Sequence, residues 1–179
     1  MIDWIWPEVD RLEHQENWNE AKEYLLKAWQ QNPTDLKTTV RLGFFCWYVV
    51  VEQGPLGITD ADIDTGELES ILTEVTHFGL AHFMAEEDFL WCFGYMISMF
   101  PEYFGDYEQW EEKGDSMLKR AYELYPEEPI YKYSYLGSFT NTYRTRRTSK
   151  NELKRVKPVL EDRFRGEGLL SEYFKSIFS

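Results

Sequence analysis

A motif of small and apolar residues that ends in a proline occurs twice in this chain with the same spacing. The two copies are Ala21, Leu25, Ala28 and Pro33, and Gly114, Leu118, Ala121 and Pro126. Steps of four and three residues put side chains on one face of a helix, and the proline ends the helix soon after. Small residues on that face let the axis of a neighbouring helix come within about 8–10 Å. The motif therefore predicts two amphipathic helices, each packed closely against a neighbour.

A glycine preceded by a large apolar residue accompanies the motif at three places. The pairs are Leu42-Gly43, Phe93-Gly94 and Leu136-Gly137. Together with the motif, they resemble the tetratricopeptide repeat, a helical hairpin with a period of about 34 residues. The resemblance covers roughly residues 2–143 and implies an all-α fold. We expect a short right-handed stack of helical hairpins with a concave face and with C-terminal capping helices.

The predicted repeats are degenerate and occupy residues 1–143, and residues 144–179 are expected to belong to the same domain. In that second part, Ser149 and Glu152 have the spacing of a capping box and predict a short basic helix, and Pro158 predicts the start of another. A last predicted helix has its apolar residues along one side, which is typical of a helix that caps the open end of a stack. Those residues are Leu169, Leu170, Tyr173, Phe174, Ile177 and Phe178.

The segment QGPLGITDADIDT, residues 53–65, is longer than the few-residue turn expected inside a repeat. It is either a binding element or a tolerated insertion. Its alternating Asp60, Asp62 and Asp64 have the pattern of a calcium-binding loop, but Thr65 stands where that loop requires glycine and Ile71 where it requires glutamate. We expect no calcium site, and aspartates that favour the N-terminus of the following helix.

The net charge of −13 is unevenly distributed along the chain. Residues 144–179 contain ten basic and five acidic residues, which leaves nine basic and 27 acidic residues, a formal charge of −18, for residues 1–143. Such an acidic body would repel nucleic acid and anionic membranes and would attract a basic protein. The alternative is that the acidity only keeps the protein soluble. The basic run from Arg144 to Lys157, with Tyr143 beside it, could contact nucleic acid. We favour its pairing with the acidic residues of positions 1–143.

Cys46 and Cys92 each lie in a strongly apolar run, which predicts buried and reduced thiols. The N-terminal MIDWIWPEVD lacks the basic residues of a secretory signal, and no apolar run reaches the roughly 18 residues that a membrane span needs. A cytoplasmic location is expected.

No residue pattern indicates catalysis. The chain has no phosphate-binding glycine loop and no nucleophile elbow. Its histidines are His14, His77 and His82, and the spacing of five between the last two does not align them as metal ligands on a helix. We expect a protein that is not an enzyme and has no cofactor and no metal.

Large aromatic residues fall at the positions that face the concave groove in the tetratricopeptide family. By the resemblance these are Phe44, Trp47, Tyr48, Trp91, Tyr95 and Tyr131. Such residues are typical anchors of protein interfaces, although they could equally fill the core. Together with the acidic residues Asp60, Asp62, Asp64 and Glu67, they are the predicted partner-binding residues.

These features favour a non-catalytic protein-binding module. The segments RLGFFCWYVVVEQGPL and FLWCFGYMISMFPEYFG resemble bacterial immunity proteins in general character, and an immunity or antitoxin-like protein that neutralises a basic toxin domain by direct binding is the leading hypothesis. The alternative is a scaffold or adaptor that binds a peptide in the aromatic groove. An enzyme or an RNA-binding protein ranks third.

Overall fold

A computed structural model describes residues 2–59, 61–138 and 143–178, with side chains for all of these except 143–151. The secondary structure of this described part is helical throughout, which confirms the predicted all-α fold class. The chain divides into two compact units. We call Ile2–Phe83 with Phe164–Tyr173 the first unit, and Met84–Arg163 with Phe174–Ser179 the second unit.

The first unit contains α1 (Pro7–His14), α2 (Trp18–Gln31), α3 (Leu36–Leu56) and α4 (Thr65–His82). Each of these helices packs against the next in sequence. Two aspartates begin helices by capping them: the carboxylate of Asp35 accepts the N–H of Thr38 at 2.8 Å, and that of Asp64 accepts the N–H of Glu67 at 3.1 Å. Both bonds satisfy donors that a helix N-terminus leaves unpaired. The expectation that aspartates favour the start of α4 is confirmed at Asp64.

The second unit contains α5 (Glu87–Met99), a 3-10 turn (Pro101–Tyr103), α6 (Tyr107–Leu124), α7 (Pro129–Ser138) and α8 (Tyr143–Arg163). Here too the consecutive α-helices pack against one another. A last helix, α9 (Leu169–Ile177), contributes its first five residues to the first unit and the rest to the second.

Glycines bring α5 and α6 into close contact, as the repeated motif predicted. A Cβ atom on Gly114 would lie 2.7 Å from the Ser98 hydroxyl and 2.8 Å from the Ser98 backbone nitrogen. A Cβ atom on Gly94 would lie 3.1 Å from the backbone nitrogen of Leu118. A larger residue at Gly114 would therefore push the two helices apart.

The prediction of two short helices between Ser149 and Arg163 is wrong, because α8 is continuous and contains Pro158. A proline inside a helix removes one hydrogen bond and costs about 3 kcal/mol. The cost is offset by burial, since Val156, Leu160 and Arg163 on the same helix are buried, while Pro158 is exposed. Tertiary packing here overrides a local stop signal.

The two cysteine side chains, Cys46 and Cys92, are buried and free, as predicted. Burial raises the pKa of both thiols far above the ordinary value. At neutral pH each is therefore a protonated, apolar core group rather than a nucleophile.

Candidate functional site

The predicted groove residues of the first unit are covered by the C-terminal helix. Phe44 and Trp47 are each only 1% exposed, and Tyr48 is half-buried. The ring of Tyr173 in α9 lies 5.6 Å from Phe44 and 5.7 Å from each of the other two rings. These distances are those of direct aromatic packing. Only Tyr48 keeps a surface that another molecule could contact.

The predicted groove residues of the second unit are covered in the same manner. Trp91 and Tyr131 are buried, at 0% and 2% exposure, and Tyr95 is half-buried. The ring of Phe174 in α9 lies 4.5 Å from Trp91 and 5.3 Å from Tyr95. Phe178 adds a further contact with Trp91 at 6.5 Å.

The expectation of an open aromatic groove is therefore wrong for four of the six residues. These are Phe44, Trp47, Trp91 and Tyr131. The physical reason is that aromatic side chains of α9 pack on Phe44, Trp47 and Trp91 and remove their apolar surface from water. Tyr131 instead packs on Trp91 and bonds to Asp88 and Arg163. A groove position and a core position show the same residue types, so the sequence pattern does not separate them.

The acidic residues between α3 and α4 have local structural roles. Asp60 lies outside the described residues. The carboxylate of Asp62 accepts both the N–H and the hydroxyl of Thr59 at 2.8 Å, which lowers the pKa of Asp62 below its usual range. Asp64 caps α4. The linker is shorter than predicted, because α3 extends to Leu56 and α4 begins at Thr65.

Glu67 pairs with a buried lysine. Its carboxylate accepts a hydrogen bond from the ammonium of Lys22, which also lies 3.2 Å from Glu23. Burial alone would lower the pKa of Lys22, but the hydrogen bonds from its ammonium to Glu67 and Glu23 raise it above the ordinary value. Part of the charge at Glu67 is thus neutralised within the chain.

Exposed carboxylates nevertheless dominate α4 and the residues before it. This α4 acidic surface consists of Asp62, Asp64, Glu67, Glu69 and Glu74, all exposed. The helix itself contains no lysine or arginine. The surface therefore presents a local negative potential that a basic molecule would be drawn to.

A buried ionic cluster in the first unit, the Arg41 cluster, was not predicted from the sequence. The guanidinium of Arg41 is 1% exposed and donates to the carbonyl of Trp4 at 3.0 Å, to Asp10 at 2.9 Å and to Glu13 at 3.1 Å. Glu13 also accepts the N–H of Leu169 at 2.8 Å, at the start of α9. The only sequence signal was a charged residue inside the apolar run VRLGFF.

Two carboxylates share the one guanidinium in the Arg41 cluster. Burial raises the pKa of Glu13 to about 7, while Arg41 and the N–H of Leu169 act in the opposite direction and the neighbouring Asp10 adds to the rise. The carboxyl of Glu13 is therefore partly protonated at neutral pH.

The second unit has a corresponding Arg163 cluster. The guanidinium of Arg163 donates to Asp88 at 2.5 Å and to the hydroxyl of Tyr131 at 2.7 Å, and that hydroxyl donates in turn to Asp88 at 2.9 Å. Glu128, which is partly exposed, lies 3.7 Å away. The guanidinium also stacks 5.4 Å from the ring centre of Trp91. Two predicted partner-binding residues, Trp91 and Tyr131, thus hold a buried arginine.

Parts of the predicted basic run pair within the chain. Lys132 lies 3.0 Å from Glu152, and Arg155 lies 3.2 Å from the same carboxylate and 3.9 Å from Glu127. The side chains of residues 144–151 lie outside the described ones. Pairing with the acidic first 143 residues is thus seen at Arg155, through Glu127. The ion pairs of the described residues include neither Lys154 nor Lys157, and pairing stays a prediction for the basic residues from Arg144 to Lys150.

A cavity of about 350 Å³ lies within the second unit, and we call it the α6 cavity. Its polar residues come from α5, α6 and α7, with Phe178 just beyond α9 at one wall. The lining residues are Tyr95, Ser98, Met99, Glu111, Asp115, Leu118, Tyr133, Ser134, Gly137, Ser138 and Phe178. The hydroxyl of Ser98 donates to the carbonyl of Gly94 at 2.7 Å and makes a longer contact of 3.4 Å with Asp115, which is half-buried. It is a concave site with carboxylates, hydroxyls and aromatic rings together.

The described part of the chain contains no group of three or more histidine, cysteine, aspartate or glutamate side chains placed to hold a metal ion. Among its helices, none combines the length and the apolar character that crossing a bilayer requires.

Comparisons with models of protein families, with curated proteins and with solved structures found no match to this chain. The resemblance to the tetratricopeptide repeat and to immunity proteins therefore stays a prediction from the residues quoted above.

Proposed function

We propose that this protein is a non-catalytic binding protein for a basic protein partner, of the immunity or antitoxin type, that neutralises a toxin domain by covering it. The α4 acidic surface is the observation that carries the proposal, because it gathers five exposed carboxylates on and just before a helix that contains no lysine or arginine. The free, buried cysteines agree with the cytoplasm as the place where this would occur.

The expected contribution of this surface is to the rate of association. Charges that stay solvated at the rim of an interface steer a partner of opposite charge, and they add less to the final affinity. Their reach is about 8 Å at physiological salt. The same charge opposes binding of nucleic acid, which is why a basic protein is the favoured partner class.

The first experiment recovers the partner from the native host with the tagged full chain, at low and at high salt, and identifies it by mass spectrometry. A stoichiometric basic polypeptide with toxic activity that this chain abolishes would support the proposal. An acidic partner, or a bound toxin that keeps its activity, would contradict it.

The second experiment measures the association rate of the purified pair over a salt series. The double variant Glu69→Gln/Glu74→Gln removes two charges of the α4 acidic surface that have no described role in the fold. Its matched control, Glu112→Gln/Glu123→Gln, removes two exposed charges from α6. We expect a several-fold slower association for the first variant only, with a weaker dependence on salt. An association rate that does not change with salt concentration would count against the proposal.

The alternative, a peptide bound in the aromatic groove, receives less support from the geometry. A peptide at those residues would have to displace Tyr173 in the first unit or Phe174 in the second. Calorimetric titration of short apolar and basic peptides tests this alternative directly, and micromolar binding would favour it.

A further inference from the structure

The α6 cavity contains two carboxylates and no basic residue among its described lining residues. Glu111 and Asp115 are four residues apart on α6, so both lie on one face of the helix. Like charges at this spacing destabilise a helix. The described ion pairs include neither residue, so no cation of the described chain compensates the two charges. A cation from another molecule would compensate both charges.

Asp115 is the deeper of the two carboxylates. Burial raises its pKa above the usual range, although hydroxyl groups of Ser138 and Ser98 bond to it and act in the opposite direction. Desolvation of an uncompensated carboxylate has a cost in free energy that a bound cation would remove. Glu111 is exposed and bonds only weakly, at 3.5 Å, with the hydroxyl of Tyr107.

The walls of the cavity suit an organic cation better than a metal ion. The rings of Tyr95, Tyr133 and Phe178 line it, and those of Tyr133 and Phe178 pack edge to face at 5.5 Å. Aromatic rings attract a guanidinium or an ammonium through their negative faces. A volume of about 350 Å³ is at the lower end of the range of roughly 300–1,000 Å³ for ligand pockets, so it suits one side chain rather than a folded segment.

We propose that the α6 cavity binds the guanidinium group of an arginine side chain that a protein partner inserts between Asp115, Glu111 and the aromatic walls. Arginine is preferred to lysine because its planar group donates in a fork to a carboxylate and also stacks on rings. The protein source of this arginine rests on the proposed function, whereas the guanidinium site does not.

The direct test is a titration of the full ¹⁵N-labelled chain with N-acetyl-arginine amide, followed at the backbone amides of Ser98, Asp115 and Gly137. N-acetyl-citrulline amide has nearly the same shape and no charge, and N-acetyl-lysine amide has the charge without the planar group. We expect saturable shifts with the arginine compound at a Kd on the order of 1 mM, at least tenfold weaker binding of the citrulline compound, and intermediate binding of the lysine compound. Equal binding of all three, or none by the arginine compound, would overturn the proposal.

Variants on α6 and α7 show whether binding occurs in the cavity. Asp115→Asn should weaken binding of the arginine compound at least tenfold, whereas Glu123→Gln, which removes one charge from the same helix outside the cavity, should leave it unchanged. A Cβ atom on Gly137, which lines the cavity, would meet nothing within 4 Å, so there is room for Gly137→Ala, and we expect the larger side chain of Gly137→Leu to occupy part of the cavity. Binding that survives Gly137→Leu would overturn the assignment even if Asp115→Asn failed to fold.

The same glycine variants separate this inference from the proposed function. If the inference is correct, Gly137→Leu lowers the affinity for the purified partner at least tenfold, mainly by a faster dissociation rate. Gly137→Ala should leave this affinity unchanged. If the partner binds both variants equally, the proposal that its arginine enters the α6 cavity is wrong. The salt-dependent association assigned to the α4 acidic surface would still stand in that case.

Discussion

Each unit of this protein contains a buried arginine, and Arg41 and Arg163 are compensated in different ways. Arg41 is surrounded by two buried carboxylates and a backbone carbonyl. Arg163 is surrounded by one buried carboxylate, a tyrosine hydroxyl and two aromatic faces, with a second carboxylate at 3.7 Å that is partly exposed. The first cluster has an excess of buried negative charge, whereas the second is close to balanced.

The difference determines which cluster responds to pH. In the Arg41 cluster the excess charge is relieved by a proton on Glu13, whose pKa is about 7. In the Arg163 cluster the additional partner is Tyr131, and burial raises the pKa of its hydroxyl above an already high ordinary value. That group therefore stays protonated at neutral pH. Two similar-looking buried arginines therefore make one pH-sensitive and one pH-insensitive site.

The largest expected effect is that of removing the guanidinium from each cluster. Arg41→Met leaves two buried carboxylates without a cation, and we expect a loss of about 3–5 kcal/mol in the free energy of unfolding at pH 7. Arg163→Met leaves one fully buried carboxylate that still has the hydroxyl of Tyr131, so its loss should be smaller. Urea unfolding followed by circular dichroism measures both. Equal losses would show that the number of buried carboxylates does not decide the cost.

The pH dependence of stability should separate the clusters next. The pKa of Glu13 is raised from 4.5 in the unfolded chain to about 7, so its contribution is fully present below about pH 4.5 and is lost as pH rises through 7. At 1.36 kcal/mol per pKa unit, the loss approaches about 3 kcal/mol above pH 8. Its buried charged neighbours are Asp10 and Arg41.

The variant Glu13→Gln keeps an acceptor for the N–H of Leu169 and cannot ionise. We expect its free energy of unfolding to fall less than that of the natural chain between pH 5 and pH 8, by about 3 kcal/mol or less. The exposed Glu112→Gln is the control and should follow the natural chain. If the free energy of unfolding changes with pH in the same way for all three chains, Glu13 is not the titrating group.

A smaller effect is expected where a glycine borders the Arg41 cluster. A Cβ atom on Gly168 would lie 2.2 Å from a carboxylate oxygen of Asp10 and 2.7 Å from one of Glu13, so Gly168→Ala should cost about 1–3 kcal/mol by overpacking. Gly137→Ala in the second unit, where a Cβ atom meets nothing, should be neutral or slightly stabilising in its helix. Thermal unfolding compares the two, and an equal change in both would contradict the packing argument.

The smallest effect concerns the tyrosine of the Arg163 cluster. Tyr131→Phe removes one hydroxyl that both donates to Asp88 and accepts from Arg163, so we expect a loss of about 1–2 kcal/mol. The loss should be the same at pH 5 and pH 8, in contrast with the effect at Glu13. A loss that grows with pH would show that the second cluster titrates after all.

Most of the helices could be predicted from local signals in the sequence, with α8 as the exception. The spacing of Ala21, Leu25 and Ala28 before Pro33 predicts a helix that is found as α2. Gly114 predicts that its helix packs closely against a neighbour, which the structure shows to be α5. Periodicity over a dozen residues contains this information, because one face of a helix repeats every three to four residues.

Tertiary structure alone decided which of these surfaces are covered. The carboxylate of Glu13 bonds to a residue 156 positions away, and Phe174 lies on Trp91, a contact that no local spacing indicates. The continuity of α8 through Pro158 has the same origin, since buried neighbours outweigh a local stop signal. Apolar and aromatic residues are suited equally to a core and to a binding surface, and only the packing of distant segments against them distinguishes the two.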